Sequence, residues 1–299
     1  RNDDAVARRR RARRHAGAQG GRERSDRARA GPAQPARRQR GGPAAVGVRA
    51  PLARPAARPG APTRASARIA EVDALRGIAV VAMIAYHFSF DLRLFGLARL
   101  DFEGDPFWLG ARAAIVSTFL GLVGMSLVLA RRAGVAAAQR WKRTATIAGC
   151  ALAVSVASWL AFPTSYIWFG ILHCIAVASV VAWSFTLRPR LALACGAAVI
   201  AAGLLVTHPA FDSRALAWIG FTTHKPVTQD YVPIFPWLGA ALVGVAAGDV
   251  LVRRPFAPLA FLARAPRALV WLGRHSLAVY MVHQPILIGA LALALRRLP

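Results

Sequence analysis

The sequence predicts an all-α membrane protein: a polytopic bundle of about seven transmembrane helices, preceded by a disordered Arg-rich N-terminal segment. Three observations predict it. Hydrophobic residues make up 56% of the 299 positions, yet the formal net charge is +26, a pairing that a single soluble domain rarely shows. The charge is segregated, with 19 of the 39 basic residues falling in the first 68 positions. The remainder contains apolar windows of the length a bilayer core demands, about 17 to 25 residues, separated by short charged clusters.

Residues 1–68 combine Arg with Ala, Gly and Pro, hold four of the 13 acids, and contain almost no large apolar side chain. Such a segment buries too little surface to offset its conformational entropy and is expected to be disordered. Its arginines invite a nucleic-acid reading, but it has no lysine, no interleaved aromatics and no motif, so no nucleic-acid partner is expected. No apolar stretch follows the early arginines for some fifty residues, so it is not a signal peptide. Arg, Ala, Gly and Pro share GC-rich codons, which makes an over-extended reading frame or a cytoplasmic tail the expected origin. The domain division is therefore 1–68 and 69–299.

Seven spans follow in order, at about 74–92, 107–130, 144–162, 166–187, 191–207, 232–251 and 276–295. The connections alternate in charge. Arg131, Arg132, Arg140, Lys142 and Arg143 fall in the second, Arg188 and Arg190 in the fourth, and Arg253, Arg254, Arg264, Arg267 and Arg274 in the sixth. The other connections carry Asp101, Glu103, Asp105, Asp212 and Asp230. Positive-inside counting places the N-terminus in the cytoplasm and, with seven spans, the C-terminus outside. Arg296 and Arg297 run against that sense and leave room for an eighth span. Ala240, Gly244 and Gly248 recur every four residues in the sixth span, a spacing that lets helix backbones approach closely. Cys150, Cys174 and Cys195 lie in apolar spans without CxxC spacing and read as reduced packing residues. No metal site is expected.

The first span carries the candidate chemistry. Asp73, Arg76 and Gly77 stand at its cytoplasmic mouth, and His87 and Asp91 follow nine apolar residues, Ile78 to Tyr86. Ionisable groups at that depth are costly and mark function. His87 lies about 13 residues, roughly 20 Å, inside. His87 and Asp91 share a helix face, so the carboxylate is expected to hold one imidazole nitrogen protonated and leave the other as a base. His173 in the fourth span falls at a similar depth, whereas His283 in the seventh lies nearer the cytoplasmic side. Asp73 and Arg76 fit an ion pair, and Arg76 facing inward would hold a phosphate, with Gly77 allowing close approach. Arg274 and the other basic loop residues on that side suit a nucleotide-bearing substrate or anionic lipid.

Five motifs in order then resemble a known family: Val72–Ala79, Tyr86–Leu92, Phe169–His173, Asp230–Trp237 and Gly273–Pro285. Over about residues 68–296 the chain is similar to the heparan-alpha-glucosaminide N-acetyltransferase catalytic domain family, in its bacterial branch. The resemblance implies a multi-pass acyltransferase of the bacterial cell membrane that moves an acetyl group from cytoplasmic acetyl-CoA to an amine or hydroxyl of an extracytoplasmic sugar or envelope glycan. It implies acetyl-CoA as co-substrate, catalytic roles for His87, Asp91, His173 and His283, and donor binding by Arg76, Asp73, Gly77 and Arg274. Acceptor binding falls to Tyr231, Trp237 and Gln284. Membrane lipids and a second copy of the chain are the expected partners. Eukaryotic members place Asn at the position of His87 and a His in the following luminal loop; residues 92–106 here contain no His, so either the role passes to His87 or this branch does different chemistry. Two other readings stay open: a proton-coupled transporter, since buried His/Asp pairs relay protons and Pro236 and Pro285 interrupt helices, and a non-enzymatic subunit of an envelope complex.

Overall fold

A computed structural model describes residues 69–254 and 257–296; the expected disorder of residues 1–68 lies outside the described residues. Eight α-helices occur among the described residues: α1 (Ala70–Leu94), α2 (Pro106–Arg132), α3 (Ala137–Ala161), α4 (Ile171–Phe185), α5 (Pro189–Leu205), α6 (Ile234–Arg253), α7 (Arg267–Arg274) and α8 (Ser276–Leu295). Short 3₁₀ turns occupy Pro209–Asp212, Ala217–Ile219 and Ala257–Leu262. The chain is all-helical, as its composition predicts, and the described residues form no strand.

Five helices, α1, α2, α3, α6 and α8, are long and apolar enough to cross a bilayer, while α4 and α5 have 15 and 17 residues. Each expected span thus corresponds to an apolar helix, but α4 is shorter than the expected 166–187 window. Its first five positions, 166–170, are extended instead and run beside 228–232. Gln229 N–H donates to the Ser165 carbonyl at 2.8 Å and Val232 N–H to that of Phe169 at 3.3 Å, and Phe169 and Tyr231 form an isolated parallel bridge. Two irregular segments at a membrane edge can satisfy each other's backbone in this way, which is what non-helical chain in a bundle needs. Asp230 completes the arrangement by accepting the Ile171 N–H at 2.9 Å, capping one of the donors orphaned at the start of α4.

Two segments expected as connections are helical. Ala137–Arg143 forms the start of α3, because Ala, Gln, Arg and Lys are strong helix formers and prolong the span past its apolar part. Arg267–Arg274 forms α7, which packs along α1. There a Cβ at Gly77 would collide with the Leu269 carbonyl, and one at Gly273 with the Asp73 carbonyl. The expected small-residue seam of α6 exists: Gly244 meets the backbone of Gly121, and Gly248 that of Met125, both on α2. The main core joins α2, α3, α4, α5 and α6 through Leu120, Ile147, Cys174, Ala178, Ala192 and Leu242. The face of α6 opposite α2 meets α5, where Gly196 and Gly239 approach.

Candidate active site

His87 and His283, from α1 and α8, face each other. His87 Nδ1 lies 2.7 Å from His283 Nε2, and the rings stack at 4.9 Å. His283 Nδ1 lies 2.7 Å from the Tyr280 carbonyl oxygen. A carbonyl can only accept, so His283 Nδ1 carries a proton and, in the neutral ring, its Nε2 is an acceptor. His87 Nδ1 must then donate to it. With both imidazoles neutral, the remaining lone pair of the chain is on His87 Nε2. This tautomer assignment follows from the order of hydrogen bonds.

The sequence-level expectation that Asp91 orients His87 is corrected here. Asp91 is fully buried but accepts from Gln284 Nε2 at 2.6 Å, while His283 takes the orienting position beside His87. Position explains the difference. The Asp91–Gln284 bond lies one turn beyond His87 on α1 and one residue beyond His283 on α8, so each helix uses two residues to meet the other. Asp91 Oδ2 and Gln284 Oε1 have no further partner among the described residues. The expected depth of His283 also changes. Gly273 lies against Asp73 and Gly77, so α8 starts already alongside the inner part of α1, and His283 reaches the level of His87 rather than the cytoplasmic side.

His173 is not part of the pair. Its Nδ1 accepts the Gly170 N–H at 3.3 Å, which fixes the proton on Nε2, and Nε2 then donates to Ser155 Oγ at 3.3 Å. Both nitrogens are spent on joining α3 to the start of α4.

The paired histidines line a cavity of about 550 Å³, within the range of small-molecule sites, together with Tyr86, Phe90, Arg112, Asp230, Tyr231, Tyr280 and Gln284. Tyr231 also donates to the Ala217 carbonyl at 2.6 Å. Burial pushes the Asp230 carboxyl above the usual carboxylate range, against the opposing pull of the Ile171 N–H, Arg112 and Lys225. A second cavity of about 230 Å³ is lined by Arg76, Arg143, Thr146 and Ser276, among others. Phe119, Ile171 and Tyr280 line both cavities, so a wall of three side chains separates them beside the histidines.

The four expected donor-side residues behave differently from one another. Asp73 is buried and bridges two guanidiniums, Arg76 at 2.9 Å and Arg274 at 3.3 Å. Arg76 also donates to Ser126 Oγ at 2.7 Å and lines the second cavity. Gly77 is corrected: its Cα faces the Leu269 backbone, so its small size serves the α1–α7 contact instead of a ligand. Trp237, expected on the acceptor side, packs against the main core and lines neither cavity. Sequence reasoning missed Tyr280, whose carbonyl fixes the histidine tautomers, and Arg112, an arginine inside an apolar span that the same rule of intramembrane charge would have flagged.

Residues 68–285 match the model of the family described as heparan-alpha-glucosaminide N-acetyltransferase, catalytic. The chain belongs to that family. No curated protein and no solved structure matches it. The family match begins one residue before the first described position and ends two residues after His283, so it covers both members of the pair, with all of α1 and the first half of α8. Family membership and apolar helices together make this a multi-pass membrane protein of acetyltransferase type. Among the described residues, no group of three or more His, Cys, Asp or Glu is placed to hold a metal ion.

Proposed function

We propose that the chain transfers an acetyl group from cytoplasmic acetyl-CoA to an amine or hydroxyl of an extracytoplasmic sugar or envelope glycan, with His87 as general base. The observation that carries this reading is the hydrogen-bond order Tyr280 carbonyl, His283, His87, which leaves Nε2 as the lone pair of a His87 ring that lines the large cavity. In the proposed step the acceptor nitrogen or oxygen attacks the thioester carbonyl while His87 Nε2 takes its proton. The carbon–sulfur bond breaks, and the same nitrogen returns that proton to the departing thiolate. The products are the acetylated acceptor and CoA. His283 steadies the imidazolium by accepting from its Nδ1–H, the orienting logic of a catalytic triad without the acid.

The two cavities suit two substrates. The second carries Arg76 and Arg143, and guanidiniums are the usual partners of phosphates, so the donor enters there. Asp73 and Arg274 support Arg76 instead of contacting the donor. The large cavity reaches Asp230, Tyr231, Lys225 and Glu103 and takes the acceptor, with Tyr231 and Gln284 on its walls. The basic clusters support a cytoplasmic donor side and N-terminus, in a bacterial cell membrane. His173 holds α3 to the start of α4, a structural role.

The test uses purified chain in proteoliposomes, with labelled acetyl-CoA outside and an envelope extract inside. Label appearing in a glycan fraction, and lost in His87→Ala, is the expected result. Absence of transfer together with acid-driven solute uptake would overturn it in favour of a proton-coupled transporter.

A further inference from the structure

Arg112 is the seventh residue of α2, roughly 9 Å from the helix start, inside an apolar span. Its position could have turned it toward lipid, but it does not. Arg112, Ile115, Val116 and Phe119 all line the large cavity, and their spacing is that of a single helix face. The guanidinium, half-buried, therefore belongs to the cavity wall.

Among the described residues it forms neither a hydrogen bond nor an ion pair. The cavity offers two carboxyls and neither is hydrogen-bonded or ion-paired to it. Glu103 is taken by Lys225 at 3.2 Å, on the exposed rim. Asp230 spends one oxygen on the Ile171 N–H and attracts Arg112 only at a distance beyond a hydrogen bond or ion pair. Arg93 adds a further positive charge to the same wall, lying over the Phe102 ring at 6.0 Å. A guanidinium within a membrane bundle without a directly bonded counter-charge is costly, and such residues mark ligand sites. Its planar donor fork fits a phosphate or carboxylate in bidentate fashion. Tyr86, Phe90, Phe102 and Tyr231 line the same cavity, and flat aromatic faces, two of them with a hydroxyl, suit a sugar ring.

We propose that the outer part of the large cavity binds a saccharide bearing an oxyanion, a phosphate or a carboxylate, through the Arg112 guanidinium. This rests on the acetyl-transfer reading only in naming the saccharide as the acceptor; the binding itself stands without it. The acceptor is then an anionic amino sugar or sugar phosphate, and a neutral sugar is a poor substrate.

The test is calorimetric titration of the full chain in detergent with glucosamine, glucosamine 1-phosphate, 2-amino-2-deoxyglucuronic acid and inorganic phosphate. One or both anionic sugars are expected to bind at least about tenfold more tightly than glucosamine, the energy of one charge-assisted hydrogen bond. The arm that gains identifies phosphate or carboxylate as the recognised group. Arg112→Gln is expected to bring the anionic sugars down to the level of glucosamine, and Arg112→Lys to keep part of the advantage. Equal binding of glucosamine by the unaltered chain, or an advantage that survives Arg112→Gln, overturns the proposal. So does inorganic phosphate binding as tightly as the sugar phosphate, which would make the site a simple anion hole. If the anionic sugar binds selectively and no acetyl transfer is found, the site stands and the enzyme reading falls.

Discussion

His87 and His173 are the same residue type in apolar helices of one bundle, yet their hydrogen-bond accounts differ. His173 accepts from the Gly170 N–H with one nitrogen and reaches Ser155 with the other. Among the described residues the His87 ring hydrogen-bonds to His283 alone, through Nδ1, which leaves Nε2 without a hydrogen-bond partner. What separates a structural histidine from a candidate base is therefore the number of ring nitrogens the fold uses up. The difference arises in the neighbouring chain. His173 sits in the first turn of a helix whose free backbone N–H groups need acceptors. His87 sits in mid-helix, where the backbone has no such need.

The largest effect expected from this comparison is at His87. His87→Ala should lower kcat for acetyl transfer roughly 10²- to 10⁴-fold, the usual worth of a positioned general base, without changing the affinity for CoA measured by titration. Retention of full turnover would show that the free nitrogen is not used. His283→Phe keeps a ring of similar shape but removes the acceptor for His87 Nδ1–H, so His87 can adopt the other tautomer. A loss of about 10- to 100-fold in kcat is expected, the value of one hydrogen bond to a group that becomes charged. His283→Gln, which can still accept, should recover part of it. Equal activity of the two variants would break the tautomer argument.

A smaller and different effect is expected at His173. His173→Ala removes the bridge between Ser155 and Gly170, and the unsatisfied groups should cost about 1–3 kcal/mol of stability, read as a lower unfolding midpoint in detergent. Turnover per folded molecule should stay close to that of the unaltered chain. A loss of kcat matching that of His87→Ala, with no change in midpoint, would instead put His173 in the chemistry.

Much of the bundle was legible because its periodicity is coarse. Apolar windows of bilayer length mark helices whatever their neighbours, and all seven windows became apolar helices. The short α4 was not legible, because residues 166–170 are as apolar as the helix they precede. What makes them extended is a pairing with residues 228–232, some sixty positions later. The same reasoning applies at the site. His87 could be singled out from its own span, and His283 from its own, but their contact depends on where α8 starts, and this is set by the glycine contact between α7 and α1. The i,i+4 relation of His87 and Asp91 was visible and misleading, since a shared helix face allows two side chains to meet without requiring it. Arg112 was legible and passed over, hidden by the apolar residues around it.

The smallest expected effect concerns Asp230, which distinguishes the outer loop from the helices it braces. Burial raises its carboxyl above the ordinary value, so the folded chain holds this proton at a pH where the unfolded chain has already lost it. Across that window the unfolded state binds fewer protons, and stability falls as pH rises from the ordinary carboxylate range toward the raised value. Below the window both states are protonated and above it both are ionised, so this group then adds no slope. The unfolding midpoint of the purified chain should decline over that interval, and Asp230→Asn, which cannot ionise but can still accept the Ile171 N–H through its side-chain oxygen, should flatten the decline. Asp230→Ala removes the cap as well as the charge and should lower the midpoint at every pH, by about 1 kcal/mol for a lost helix cap. A slope unchanged in Asp230→Asn would mean that the Ile171 N–H, Arg112 and Lys225 together offset the effect of burial on this carboxyl.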